Sequence, residues 1–275
     1  MSDFLAEMAL GSRARVDAAR LSEPLAALRL RAMATPTPPP LQLSPSGFDL
    51  IAEIKPSSPA RGALTATGRM SAGQARDRAV TYAAAGACAI SVLTEPSRFG
   101  GGIDLLAAAA QAGAAPVMRK DFIVDPYQLF EARACGASGV LLIVRMLSDS
   151  LLGELADVAA ETQLFVLWEA FDAADLARLS SLVERAPKPR LAGLNARDLV
   201  TLQVDLERLS RLADQFPVEF SRVAESGLST SQDAARWAAC GYRAALVGEA
   251  MMRADDPATL LRSMLAAGRA AARRN

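Results

Sequence analysis

The sequence predicts a (β/α)8 barrel, and three observations predict it. Short apolar runs of strand length alternate eight times with longer stretches of helical period rich in Ala, Leu and Arg. Those runs are apolar on both faces, as parallel strands covered by helices must be. The first run is not followed by the Gly-rich fingerprint that an open doubly wound sheet would be expected to carry there. At 275 residues the chain has the length of a single such barrel with a short extension.

Residues Ser2 to Ala34 place apolar side chains at helical spacing, among them Phe4, Leu5, Met8, Leu25 and Leu28, and end at Thr35-Pro-Thr-Pro-Pro-Pro40. Two helices and a stiff linker are expected. The barrel pattern starts at Phe48, so residues 1–47 read as a helical extension with its Pro-rich linker and residues 48–275 as the catalytic barrel. Strands are expected near Asp49 to Ile54, Ala87 to Leu93, Pro116 to Arg119, Gly139 to Val144, Leu164 to Trp168, Leu191 to Leu194, Phe220 to Ala224 and Ala244 to Val247. Helices fit between them near Ser71 to Ala85, Ile103 to Ala112, Pro126 to Cys135, Ser148 to Ala160, Ala173 to Glu184, Leu206 to Gln215, Thr230 to Cys240 and Pro257 to Ala271. The junctions Ala85-Gly-Ala-Cys88, Cys135-Gly-Ala-Ser138 and Cys240-Gly-Tyr-Arg243 share a glycine stop and a short turn into a buried strand, so one unit recurs.

Composition narrows the chemistry. The hydrophobic fraction of 51% supports a large core, and the formal net charge of zero, with both signs interspersed, leaves no footprint for nucleic acid and no polybasic membrane patch. With no leader pattern and no run long enough to span a bilayer, the expectation is a cytoplasmic protein. Cys88, Cys135 and Cys240 read as small buried hydrophobes, neither a disulfide set nor a metal site. There is no histidine at all, which removes the commonest general base and the commonest zinc ligand. Acid–base chemistry must then come from carboxylates, lysine, tyrosine or cysteine. Of the 30 Lys plus Arg residues only Lys55, Lys120 and Lys188 are lysines. A lysine kept where arginine is the default suggests a proton that moves, because an ammonium can titrate when desolvated and a guanidinium cannot. Lys55 and Lys120 each follow an apolar strand, whereas Lys188 lies in a loop between Pro187 and Pro189.

In barrels of this kind the working residues sit at the C-terminal ends of the strands. Glu53 and Lys55 follow the first strand, two apart and so on one face. Thr94 and Glu95 follow the second, with a loop reaching Phe99. Lys120 and Phe122 follow the third, Glu169 the fifth, Asn195 and Arg197 the sixth, Glu225-Ser226-Gly227 the seventh and Gly248-Glu249 the eighth. Each charge alone also fits a solvated ion pair; it is the set that carries weight, since carboxylates and lysines packed in one mouth shift each other's pKa values and can supply acid and base without histidine. The glycines after strands seven and eight stand where such barrels bind phosphate through backbone N–H groups. Phe99, Phe122 and Trp168 offer an aromatic clamp for a flat ring, with core packing the competing role of Trp168.

These motifs, in this order, carry a family resemblance. Ile51-Ala-Glu-Ile-Lys55 with Ser58-Pro59, Ser91-Val-Leu-Thr-Glu95, Arg119-Lys-Asp-Phe-Ile-Val-Asp-Pro-Tyr127, Glu169, Gly193-Leu-Asn-Ala-Arg-Asp-Leu199, Ala224-Glu-Ser-Gly227 and Leu246-Val-Gly-Glu249 resemble indole-3-glycerol-phosphate synthase over essentially the whole chain. The resemblance implies decarboxylating, dehydrating ring closure of 1-(2-carboxyphenylamino)-1-deoxyribulose 5-phosphate in tryptophan formation, with no cofactor and no metal. It implies that Lys120 is the general acid and Glu169 the base. Lys55, partnered by Glu53, would hold the leaving carboxylate and assist dehydration. Asn195 and Glu225 would orient the ribulose hydroxyls, with Arg197 also binding substrate, Phe99 and Phe122 would embrace the anthranilate ring, and Ser58, Ser226, Gly227, Gly248 and Glu249 would form or border the phosphate pocket. The N-terminal helices resemble an extension that covers the barrel mouth, and other enzymes of tryptophan formation are candidate protein partners.

Three positions depart from the family pattern. Pro56 stands where a basic residue is frequent, Ala196 where Asn or Ser is usual, and Trp168-Glu-Ala-Phe-Asp172 replaces a more usual Val-Glu-Val-His-Asp. They leave open a duplicate enzyme serving a specialised indole pathway, or a silent paralogue that binds a phosphorylated ligand; retention of Lys120 and Glu169 argues against silence.

Overall fold

Eight parallel strands close one barrel in the computed structural model, which describes residues 3–274. In chain order they are β1 (Asp49–Ile54), β2 (Ala89–Leu93), β3 (Val117–Lys120), β4 (Gly139–Ile143), β5 (Phe165–Ala170), β6 (Leu191–Asn195), β7 (Ser221–Glu225) and β8 (Ala244–Val247). Neighbours in the sequence are neighbours in the barrel, and β8 pairs with β1 to close it. Six of the eight are buried at every residue, as strands with a packed interior on one side and helices on the other require. The expected strands are all present. The main shift is that β5 runs two residues further than expected and β3, β6 and β7 one, so that Lys120, Glu169, Asn195 and Glu225 belong to the strands themselves.

The recurrent glycine junctions fold alike. Gly86, Gly136 and Gly241 adopt φ of 102°, 84° and 82°, and the N–H after each reaches back to Tyr82, Ala132 and Trp237 at 3.1, 3.0 and 3.1 Å. This is the left-handed helix stop that only glycine makes without steric cost. The cysteines beside these turns are half-buried rather than buried: Cys135 and Cys240 cap the C-terminal ends of their helices, and Cys88 stands between its turn and the strand that follows. Two expected helices are shorter than their periodicity implies. The stretch from Ala173 tightens into a 3-10 turn at Leu179–Leu182, where the Ser181 hydroxyl takes the Arg178 carbonyl at 2.8 Å and competes with the helical ladder. The stretch from Glu207 ends at Arg211 and resumes as a 3-10 turn at Ala213–Gln215.

The extension forms α1 (Asp3–Ser22) and α2 (Leu25–Ala34); Ser2, where the helical pattern begins, lies outside the described residues. Val16 of α1 and Leu28 and Ala32 of α2 pack with Tyr127 and Phe130 into a second apolar cluster against the helix Tyr127–Ala134. α2 therefore lies on the flank of the barrel, and the expected cover of the mouth reduces to the start of α1, where Phe4 reaches the pocket.

Candidate active site

A cavity of about 1050 Å³ opens at the C-terminal ends of the strands. The fourteen residues to which the family resemblance assigns a role line it: Glu53, Lys55, Ser58, Phe99, Lys120, Phe122, Glu169, Asn195, Arg197, Glu225, Ser226, Gly227, Gly248 and Glu249. At its floor the Lys120 ammonium lies 3.5 Å from Glu169 Oε1 and 3.7 Å from Glu225 Oε2. Asn195 Nδ2 donates to the same Glu169 oxygen at 2.7 Å, so the Glu169 carboxylate is held from two sides. Lys55 pairs with Glu53 Oε2 at 2.9 Å. Glu53 Oε1 and both Glu225 oxygens are buried and have no hydrogen-bond partner among the described residues, although Glu225 Oε2 lies within ion-pair distance of Lys120.

The sequence makes room for these carboxylates with glycine. A Cβ on Gly193 of β6 would stand 1.8 Å from Glu225 Oε1, and a Cβ on Gly248 would stand 2.0 Å from Glu53 Oε2 and 2.9 Å from its Cδ. Gly248 has φ of −117°, so space and not backbone freedom is what it supplies. Gly248→Ala is accordingly expected to push Glu53 off Lys55 and to cost about 1–3 kcal/mol of stability by overpacking, with a fall in kcat. A melting curve and steady-state kinetics check this; an unchanged kcat would mean that the Glu53–Lys55 geometry is not needed.

Electrostatics separate the groups. Burial would lower the Lys120 ammonium, but Glu169, Glu225 and Glu53 outweigh it and raise its pKa above the ordinary lysine value, so Lys120 is protonated at neutral pH. Burial, then the neighbouring Glu169 charge, push the Glu225 carboxyl well above the usual glutamate range, with Lys120 pulling the other way. Ionising a carboxyl whose folded-state pKa is raised costs stability: the cost is absent below the unfolded glutamate value of about 4.3 and complete only above the folded one. Glu225→Gln removes that cost and is expected to raise Tm relative to the parent more at pH 8 than at pH 5. An equal difference at both pH values would mean that Glu225 is not the group that titrates.

The upper wall is aromatic and apolar. Phe99 and Phe122 lie 6.1 Å apart, ring centre to ring centre, and Phe4 of α1 meets Phe122 edge-on at 5.9 Å. Trp168 does not join them. It is fully buried and absent from the cavity lining, because it alternates with Glu169 along β5 and so faces the helices. Phe171, two residues beyond Glu169, lines the pocket instead, its outer face under the Arg145 guanidinium at 4.7 Å. Glu95 also turns away from the cavity: its carboxylate accepts from Ser97 N, Arg98 N and Phe99 N and caps the short helix Pro96–Phe99. Of the other departures, buried Pro56 accepts backbone hydrogen bonds from Leu64 and Thr65 at 2.9 and 3.2 Å, at the start of a hairpin formed by Ser57–Ser58 and Gly62–Ala63. Ala196 is buried, its N–H on the Glu225 carbonyl and its own carbonyl on Asp205 N, each at 2.9 Å.

At the far end Ser226 and Gly227 adopt φ of 70° and 82°. Ser226 is a non-glycine residue held in the left-handed region, a strain that tends to cluster at functional sites. Here Glu249 pairs with Arg61 at 2.8 Å and Arg197 at 3.5 Å; Arg253 also lines this end. Sequence reasoning did not pick out Phe4, Arg61, Phe171 or Arg253. Only Phe171 had a usable signal, its even spacing from Glu169.

A closed parallel barrel with a lysine–carboxylate cluster at its mouth defines a (β/α)8-barrel enzyme equipped for acid–base catalysis. Solved structures share the fold at low identity: 3-hexulose-6-phosphate synthase from Salmonella typhimurium has a TM-score of 0.62 at 14% identity, covering 81% of this chain and 99% of that one. Thiamine phosphate pyrophosphorylase from Pyrococcus furiosus has a TM-score of 0.55 at 15% identity, covering 80% and 94%. The family model for indole-3-glycerol phosphate synthase matches residues 5–264. Enzymes of that name are 40% identical over 261 residues in Leifsonia xyli (94% of this chain, 96% of that one) and 42% over 254 residues in a Nocardioides species (91% and 94%). The chain belongs to the indole-3-glycerol phosphate synthase family.

Proposed function

We propose that the chain closes the indole ring of 1-(2-carboxyphenylamino)-1-deoxyribulose 5-phosphate with Lys120 as the acid and Glu169 as the base. The observation that carries this reading is the Lys120 ammonium set between Glu169 and Glu225, on three strands of one pocket, in a chain without histidine. Lys120 donates to the ribulose carbonyl oxygen as the aromatic carbon attacks. Glu169 stabilises the cation that develops on the ring and then accepts the proton whose loss accompanies dehydration. As that cation engages Glu169, the hold of Glu169 on the Lys120 ammonium weakens, and the lysine becomes more acidic when its proton is needed.

Lys55 holds the carboxylate that leaves as carbon dioxide, with Glu53 fixing its position. Asn195 and Glu225 orient the ribulose hydroxyls, and the unhydrogen-bonded Glu225 oxygens suit that task. Phe99 and Phe122 take the anthranilate ring, with Phe4 behind Phe122. The phosphate lies against Ser58, Ser226, Gly227 and the Gly248–Glu249 backbone, with Arg197 beside it. Because Glu249 is itself a carboxylate, its contribution is the main chain, and Arg61 and Arg197 neutralise its side chain. The substrate without its phosphate is expected to raise KM by about tenfold or more, the loss of at least one charge-assisted hydrogen bond. Equal binding of the two substrates would move the phosphate elsewhere.

A further inference from the structure

We propose that Arg15, on the N-terminal helix α1, is a positioning residue for the reaction: it clamps Asp121 and thereby fixes the turn that aims Lys120 and Phe122 into the pocket. The proposal rests on the assignment of Lys120 as the acid.

Asp121 stands between two pocket residues, yet its own carboxylate is buried and fully occupied. Oδ2 accepts from Thr94 Oγ1 at 2.7 Å and from Arg119 Nη2 at 3.0 Å, both within the barrel. Oδ1 accepts from Phe122 N at 2.8 Å and from Arg15 Nη2 at 2.8 Å. The Phe122 bond closes the turn directly after Lys120, so the orientation of this carboxylate is coupled to the backbone that carries the acid. Thr94 N, next along, donates to the Lys120 carbonyl at 3.0 Å, which ties the same corner to β2. Without Arg15, Oδ1 would keep one donor only, in a place water reaches poorly, and the carboxylate could turn about its remaining bonds.

Arg15 also lies 3.7 Å from Glu95 Oε1, the carboxylate that caps the short helix presenting Phe99. One guanidinium from the extension thus bridges the supports of both aromatic walls and of the acid. Arg20 makes an equally good anchor further along α1, with Nη2 at 2.8 and 3.0 Å from the two Asp125 oxygens. Asp125, however, starts the helix behind the loop by accepting from Tyr127 N, and it does not line the cavity. The two arginines therefore dock the same helix, and only one of them touches the turn after Lys120.

That pair supplies the test, in the full-length protein, by steady-state kinetics and melting curves. Arg15→Ala is expected to lower kcat about 10- to 100-fold with KM changed much less, the cost of a displaced acid. Arg15→Lys should recover part of the loss. Arg20→Ala should keep the parental kcat with a comparable change in Tm. Equal losses in Arg15→Ala and Arg20→Ala would mean that helix docking alone matters and would overturn the proposal, as would a parental kcat in Arg15→Ala. Where Arg15→Ala does not fold, Arg15→Lys decides: a reduced kcat at unchanged Tm supports the clamp, a parental kcat removes it. Lys120→Arg tests the acid independently, so the two assignments can fail separately.

Discussion

Lys120→Arg is expected to stay folded and to lose about 10²- to 10⁴-fold in kcat, or roughly 3 to 5 kcal/mol of transition-state stabilisation, with substrate affinity changed less. Arginine keeps the positive charge between Glu169 and Glu225 but does not give up a proton on demand, so the substitution separates an acid from a cation. Lys55→Arg should behave differently. If Lys55 chiefly holds a carboxylate, a guanidinium can still do so, and the smaller loss should fall partly on KM. Lys188→Arg, in an exposed loop remote from the pocket, is the control and should leave the kinetics unchanged. Retention of more than about a tenth of kcat in Lys120→Arg would make Lys120 an electrostatic anchor and Lys55 the next candidate for the acid.

Glu169→Gln should show a loss of similar size, about 10²- to 10⁴-fold in kcat, for the complementary reason. Glutamine fills the same volume and can still meet Asn195, yet it neither accepts a proton nor balances a developing cation. Lys120 keeps its ion pair with Glu225, so the fold should survive. Steady-state kinetics with a melting curve decide. A variant within tenfold of the parent would shift the base to Glu225, the other carboxylate beside Lys120.

Much of this was legible from the chain because the barrel writes its constraints locally. Strands buried on both faces read as continuous apolar runs, and glycine stops such as Gly86, Gly136 and Gly241 mark where each helix must turn back. The position of Lys120 at a strand end and the common face of Glu53 and Lys55 follow from strand parity alone. The same parity excludes Trp168 from the pocket and admits Phe171, since only even steps from Glu169 point inward. Adjacency to a strand end was a poorer guide: Glu95 follows β2 but spends its carboxylate on three backbone N–H groups. Phe4 and Arg61 were out of reach because their places depend on the path of a helix and a hairpin across the mouth, which no local pattern encodes. The clamp of Arg15 on Asp121, 106 residues apart, is of the same kind.

The most direct test of the whole account is to incubate the purified protein with 1-(2-carboxyphenylamino)-1-deoxyribulose 5-phosphate and a metal chelator, and to follow carbon dioxide and indole fluorescence together. One carbon dioxide released per indole product, at a rate the chelator does not alter, is the predicted result. Binding of the substrate without a fluorescent product, or turnover that the chelator abolishes, would contradict it.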